Sequence, residues 1–432
     1  MYCEADTVTR MTDQEPEPAQ AARRLSTRET AELLGVKPET VYAYVSRGQL
    51  TSRRGPGRRG STFDAAEVEA LAHRNRREAT PSSGPDELSV RTRITLIDKD
   101  RYFFRGVDAA QLATRHSYEE VAEFLWTGTL RPGARFTAPK ESLAAARRAV
   151  GALPEHSGPV DRLRVAVIAA ATADPLRYDL SEDAVLGAAR SLIPTLAAAL
   201  PLQRATYMDG APIAQRLWGR LSYKEPDAAA LRVLDRALAL LVDHDLAAST
   251  LAVRVAASAR AHPYAAVSAG LGVLEGPLHG AASGLAHRML LDVLDRGSAG
   301  PVVADELRAG RRVPGLGHRL YKGEDPRAQA LFAALEDLPE AHPALAAAHD
   351  VVATTARHTD LHANVDLALA VFTASSGMDA QAGETIFAVA RTAGWIAHAL
   401  EEYGERPLRM RPSGHYVGLR PPRPLPSPPG EE

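Results

Sequence analysis

The stretch Glu275–Leu290, EGPLHGAASGLAHRML, sets a histidine between glycines at the mouth of an apolar helix. Glycine and proline interrupt helices, whereas apolar residues recur at helical spacing beyond Gly280. His279 therefore sits at a helix boundary, where the small neighbours let a ligand approach the backbone closely. A histidine that only fills a core needs no such setting. What else the chain supplies decides between packing and chemistry.

The 432 residues suggest two or three domains, or one large body with an appendage. With 45% hydrophobic and 24% charged residues the chain can bury a sizeable core. Aromatics are only 5% and alanine is abundant, so packing rests on helices in close approach. Cys3 is the single cysteine, which excludes a disulfide framework and a thiolate metal site. The acidic N-terminus lacks an apolar signal-peptide core. The longest apolar run, Ala184–Leu202, is broken by Arg190 and Pro194, so no membrane span is expected and the protein is expected in the cytoplasm.

Composition divides the chain. Residues 1–22 read as a disordered tail, 23–77 as a compact polar-basic unit, and 78–87 (EATPSSGPDE) as a linker. From Leu88, LSVRTRITLIDKDRYFFRG alternates apolar and polar residues around Asp98-Lys99-Asp100 and predicts a short hairpin. Ser117 and Glu120 form a capping box for a helix ending at Gly128. Helical periodicity then recurs almost without a break to residue 403, and the proline-rich 421–432 reads as a second disordered tail. The expected body is mainly α, because no Val/Ile-rich strand alternates with the helices.

Within 23–77, LSTRETAELLGVKPETVYAYVSRGQL has the form of a helix-turn-helix. Ser26 and Glu29 cap a first helix ending at Leu34, Gly35 permits the turn, and Pro38 opens the second helix. That helix would present Lys37, Glu39, Thr40, Tyr42 and Ala43 near its start, where base edges are read. TSRRGPGRRGSTF follows as a wing carrying Arg53, Arg54, Arg58 and Arg59, and a last helix from Asp64 to His73 closes the unit. Twelve Arg/Lys against six Asp/Glu leave this unit at +6 and the rest of the chain near −8. Such a local cation excess suits phosphate contact. The unit resembles the winged helix-turn-helix of MerR regulators and phage excisionases. Two readings stay open, DNA binding or an appendage for oligomer contacts.

Four further segments place polar residues at helix boundaries: HDLAAST (244–250), VPGLGHRLYKGEDPRA (313–328), HANVDLALA (362–370) and FAVARTAGWIAH (387–398). Each alone is compatible with packing. Together with the His279 segment, in this order, they resemble the citrate synthase family over Leu88–Gly418. FFRGVDAAQLA…SYEEVAEFLWTG and RPLRMRPSGHYVG are similar to its opening and closing segments.

The resemblance implies a multi-helix fold with a large domain (88–280 plus 379–420) and a small one (281–378) that closes over the substrates. It implies condensation of a short acyl-CoA with oxaloacetate, without a metal or redox cofactor, in a dimer or larger assembly. Asp366 is then the base, and its place at the start of an apolar helix would desolvate and strengthen it. His279 donates to the thioester oxygen and His318 to the ketone of oxaloacetate. Arg327, Arg391 and, from the partner subunit, Arg411 bind carboxylates, and His244 adds a donor. Gly315 and Gly317 lie near coenzyme A. Arg391 also admits a purely structural reading, as one half of an ion pair on a buried helix.

The chain departs from the family at Ala247, where an asparagine is usual, at Ala281 and Ser283 after His279, at LALA after Asp366, and at Ser413. None removes a base, proton donor or carboxylate clamp. The alternative reading is a DNA-binding regulator that uses the body to sense oxaloacetate or acyl-CoA. Asp366 separates the two, since a pure sensor has no use for a carbanion-generating base.

Overall fold

The computed structural model describes residues 24–34, 36–46, 48–54, 61–69, 71, 90–203, 210–276, 279–280, 282–410, 412, 415 and 417–418. The chain divides into two units, 1–91 and 92–432. Arg58 and Arg59 of the wing, Ala281, Arg411 and Ser413 lie outside the described residues.

In the first unit the helices Thr27–Leu34 and Pro38–Ser46 form the expected pair. The capping box closes in both directions: the Ser26 backbone N–H donates to Glu29 Oε2 at 2.7 Å, and the Glu29 N–H donates to Ser26 Oγ at 3.3 Å. The wing strands Ser52–Arg54 and Ser61–Asp64 pair antiparallel, Arg53 facing Thr62 and Arg54 facing Ser61. Arg24–Ser26 adds a third strand on the other side of Ser61–Asp64, which the sequence did not announce. Leu25, Ala31, Val41, Leu50, Phe63 and Val68 make this unit's own core. This is a small winged helix-turn-helix.

The second unit begins with the expected hairpin, Thr95–Asp98 against Arg101–Phe104. Lys99 and Asp100, with φ of 48° and 60°, make a turn whose twist matches that of the strands. Val107–Asp108 pairs on as a short third strand. Helices follow from Ala109 to Tyr403, including a short one, Ala109–Arg115, that the periodicity did not single out. Ser117 caps Tyr118–Thr127 with the full capping box, and Gly128 ends it in the left-handed conformation.

The longest helix, Ala382–Tyr403, is apolar on nearly every face and buried along most of its length. Helices Glu182–Ala199, Ala228–Leu241, Ala248–Ser258 and Pro263–Leu274 pack around it. Gly394 lets it close on the chain at Val242: its N–H donates to the Val242 carbonyl at 3.1 Å, and a Cβ there would stand 2.2 Å from that oxygen. Any larger residue would push the helix away from Asp243 and His244. No described helix is long and apolar enough to cross a membrane.

Candidate active site

Helix boundaries bring the polar groups together. The first is the turn 242–247, where Asp245 adopts a positive φ of 56°. This left-handed residue, tolerable for aspartate, turns the chain immediately after His244. The helix that follows starts at Ala248, with Ala247 as its N-cap and no side-chain cap bond. The departure at Ala247 therefore leaves helix N–H groups without the acceptor an asparagine could offer.

The second boundary is the loop 313–325. It is clipped to the start of helix Val365–Ser375: Gly317 N–H donates to the His362 carbonyl at 2.8 Å, and Asn364 N–H to the Gly315 carbonyl at 2.9 Å. Asn364 Nδ2 donates to the Gly317 carbonyl at 2.9 Å, while its Oδ1 caps the Asp366 N–H at 3.0 Å. Gly315 has a φ of 79°, and a Cβ there would meet the Leu367 Cβ at 2.7 Å. Backbone shape and close packing thus require this glycine whatever lies outside it. Through these bonds the loop carrying His318 is tied to the helix carrying Asp366.

Asp325 locks the junction. Its Oδ1 accepts from Arg327 Nε at 2.9 Å and its Oδ2 from Arg327 Nη2 at 2.7 Å, with both side chains buried. Oδ2 also accepts from the Val365 backbone N–H at 3.1 Å. Arg327 is thus held by an acid two residues away, a partner absent from the sequence reading.

Electrostatics differentiates the titratable groups. Burial pushes the Asp366 carboxyl up to about 6; Arg327 opposes this and Asp325 adds to it. His318 is driven down to about 4 by burial and by Arg327. Its Nδ1 accepts from the Leu320 N–H at 3.1 Å, so the proton resides on Nε2 and that nitrogen is the donor. His244, buried, is held well below the usual histidine range by burial, Arg327, Arg391 and His318. Its Nε2 lies 2.7 Å from the Tyr321 hydroxyl, and its ring stands 5.1 Å from that of His318, edge to face. His279 is lowered by burial and then by Arg391, and its Nε2 lies 2.8 Å from Ser249 Oγ. That bond occupies one ring nitrogen and leaves Nδ1 for another partner.

Arg391 is 1% exposed, and burial lowers it to about 10. Its Nε donates to the Leu241 carbonyl at 2.9 Å, and its guanidinium lies 4.5 Å from the centre of the Phe387 ring. Among the described residues Nη2 has no hydrogen-bond partner and no acid comes within ion-pair distance of the guanidinium, although Asp243 is near enough to act on it electrostatically. A buried donor left open in this way is where an anionic ligand gains most. Phe387 stands between, its ring 6.1 Å from that of His279.

The site therefore gathers His244, His279, His318, Arg327, Asp366 and Arg391. Ser249, Tyr321, Asp325 and Phe387 complete it; all four lie inside the quoted motifs, yet nothing local marks their partners. Ser283 is buried, with its Oγ against Gly383, which makes that departure a packing position. Among the described residues no three His, Cys, Asp or Glu side chains converge as metal ligands. On the first unit Tyr42 is 51% exposed, with its hydroxyl 3.4 Å from Thr27 Oγ1, Thr40 is half-buried and Arg53 is exposed.

Neutral histidines, a near-neutral carboxyl and buried arginines on a mainly helical scaffold are suited to acid–base chemistry on an anionic ligand. Residues 86–413 match the family described as citrate synthase, C-terminal domain, and the chain belongs to that family. Residues 24–76 match a helix-turn-helix domain. The citrate synthase of Haloferax volcanii is 33% identical, covering 77% of this chain and 94% of that protein. A 2-methylcitrate synthase of Mycobacterium tuberculosis is 27% identical over 73% of this chain and 84% of its own. The crystal structure of citrate synthase from Thermotoga maritima superposes with a TM-score of 0.64 at 26% identity, covering 81% of this chain and 98% of that one. The body is a citrate synthase-like acyltransferase.

Proposed function

We propose that the enzyme condenses acetyl-CoA, or a short homologue such as propionyl-CoA, with oxaloacetate, and that water then releases citrate or 2-methylcitrate and free CoA. Asp366 removes a proton from the carbon beside the thioester. His279 donates from Nδ1 to the thioester oxygen as negative charge develops there, with Nε2 accepting from Ser249. The enolate carbon attacks the ketone carbon of oxaloacetate, while His318 Nε2–H supports the oxygen that becomes alkoxide. Arg327, Arg391 and the partner subunit's Arg411 hold the carboxylates, and His244 adds a donor. Coenzyme A lies along the Gly315–Gly317 loop. The observation that supports this reading is the Asp366 carboxyl, raised to about 6, on a helix tied through Asn364 to the loop of His318, with His279 and His318 oriented by Ser249 and the Leu320 N–H.

In the same reading 281–378 closes on 88–280 plus 379–420, excluding water until hydrolysis. The chain acts as a homodimer or larger assembly, because each site takes Arg411 from its neighbour. The test is thiol release from acetyl-CoA and from propionyl-CoA, each with oxaloacetate. Release with neither sinks the catalytic reading.

A second activity is favoured by the first unit. Its helix-turn-helix geometry and the exposed Tyr42 on the second helix support duplex DNA binding, with that helix in the major groove and the wing arginines on phosphates. Regulation by a silent synthase body would require DNA affinity that responds to oxaloacetate or acyl-CoA without turnover.

A further inference from the structure

One hydroxyl in the site has no part in the chemistry above. Tyr321 is 4% exposed, and its Oη lies 2.7 Å from His244 Nε2. Its ring lies 4.8 Å from that of His318 at an angle of 31°, and the Arg327 guanidinium stands 5.9 Å from its centre. A single side chain thus meets His244, His318 and Arg327, all assigned to oxaloacetate. The backbone beside it is anchored to the hairpin turn, where Asp100 Oδ1 accepts from the Lys322 N–H at 2.9 Å.

The bond between Tyr321 and His244 can run in either of two directions, and elementary acidity chooses between them. Burial keeps the His244 ring neutral, so it carries one proton. Burial also holds the Tyr321 hydroxyl above the usual tyrosine range, with Arg327 opposing, so the phenol keeps its own proton. A phenol is a stronger acid than a neutral imidazole N–H, and an imidazole nitrogen is a stronger base than a phenol oxygen. The hydroxyl therefore donates, Nε2 accepts, and the ring proton of His244 lies on Nδ1. His318 is set the other way, because its Nδ1 accepts from the Leu320 N–H at 3.1 Å and its proton lies on Nε2. Two rings 5.1 Å apart, edge to face, are thereby held in opposite tautomers.

We propose that Tyr321 is a positioning residue for oxaloacetate: by donating to Nε2 it keeps the His244 proton on Nδ1, the nitrogen from which His244 donates to the substrate, while its ring braces His318. This rests on the reading given above, in which His244 is a donor to oxaloacetate. Without the hydroxyl the ring proton distributes over both nitrogens, and part of the population turns a bare lone pair toward an acceptor oxygen of the substrate. Such a pair of acceptors makes no hydrogen bond, so the loss falls on oxaloacetate and not on the acyl-CoA.

The experiment uses the intact wild-type protein, Tyr321→Phe, His244→Gln and the double variant. NMR of ligand-free protein labelled in the histidine ring nitrogens reads the tautomers, the His244 and His318 signals being identified by their loss in His244→Gln and His318→Gln. In wild type His244 should show a protonated Nδ1 and a bare Nε2, and His318 the reverse. In Tyr321→Phe the His244 pattern should become mixed. The same variant should raise the KM for oxaloacetate, and its calorimetric Kd, about tenfold. Its kcat and its KM for acetyl-CoA should stay within about twofold of wild type. Because the hydroxyl acts through His244, Tyr321→Phe should cost less than about twofold more once His244→Gln is present.

A bare Nδ1 on His244 in the wild type overturns the inference, even if Tyr321→Phe does not fold. So does an oxaloacetate KM in Tyr321→Phe equal to wild type with only the melting temperature lowered, or a loss repeated in full in the double variant. Wild-type protein that neither turns over nor binds oxaloacetate overturns the proposed function and this inference with it. Wild-type protein that does both, while Tyr321→Phe matches it, overturns this inference alone.

Discussion

Asp325 grips Arg327 through two parallel bonds, Oδ1 to Nε at 2.9 Å and Oδ2 to Nη2 at 2.7 Å, in a site where both side chains are buried. The acid sets the direction of the guanidinium and ties it to the first turn of the Asp366 helix through the Val365 N–H. Asp325→Asn should cost about 3–5 kcal/mol of stability, because it leaves a buried cation without its partner. It should also lower the pKa of Asp366, since the Asp325 charge helps to raise it. A melting curve and a pH–rate profile measure the two effects; an unchanged midpoint would mean that Arg327 does not need this acid.

Asp366 should behave as a base poised near neutrality. Burial raises its folded-state pKa to about 6, and the base works deprotonated, so kcat should rise with pH through about 6. Asp366→Asn should keep oxaloacetate binding and lose on the order of a thousandfold or more in kcat. A carboxyl raised in the folded state opposes folding once pH exceeds its unfolded value, and the opposition fades as pH falls. The same variant should therefore be more stable than wild type by about 1–2 kcal/mol at pH about 8 and equal to it at pH about 4. Near-normal turnover in Asp366→Asn would remove it from the mechanism.

Ser249 holds one nitrogen of His279 at 2.8 Å. Ser249→Ala frees the ring to rotate and to exchange tautomers, and kcat should fall roughly tenfold with little change in oxaloacetate KM. Steady-state kinetics distinguishes this from a loss of binding, in which KM alone would move.

Arg411→Ala should weaken oxaloacetate binding by roughly 2–5 kcal/mol, because a desolvated carboxylate loses its partner. Mixed with Asp366→Asn chains, it should recover activity, since one site of each hybrid dimer then carries neither lesion. Verified hybrids without recovery would place Arg411 in its own subunit's site or outside the chemistry.

The wing should govern salt dependence more than sequence preference. Each phosphate neutralised contributes about −0.9 to the slope of log affinity against log salt, so replacing Arg53 and Arg54 by alanine should flatten it by roughly two units. Thiol release should be unaffected. Fluorescence anisotropy of duplex DNA across a salt series reads this directly; equal slopes for wild type and variant would leave the unit as an assembly module.

Much of this architecture is local and was legible in the chain. The helix Ala382–Tyr403 and the Ser117 capping box follow from apolar spacing and from side chains that bond within one turn. The family resemblance of the five boundary motifs is what put forward His244, His279, His318, Arg327, Asp366 and Arg391 as site residues. The strand Arg24–Ser26 was not legible, because three residues carry no period and become a strand only by pairing with Ser61–Asp64.

What the tertiary structure alone decided is partnership. Ser249 meets His279 across 30 residues and Asp243 meets His398 across 155, and neither spacing leaves a periodic mark. Those meetings depend on where whole helices settle, as when Gly394 lets Ala382–Tyr403 close on Val242. The sequence placed a carboxylate at the head of an apolar helix. How far it is displaced from an ordinary aspartate depends on desolvation and on the distance to Arg327 and Asp325, quantities that exist only once distant segments exclude water from the same space.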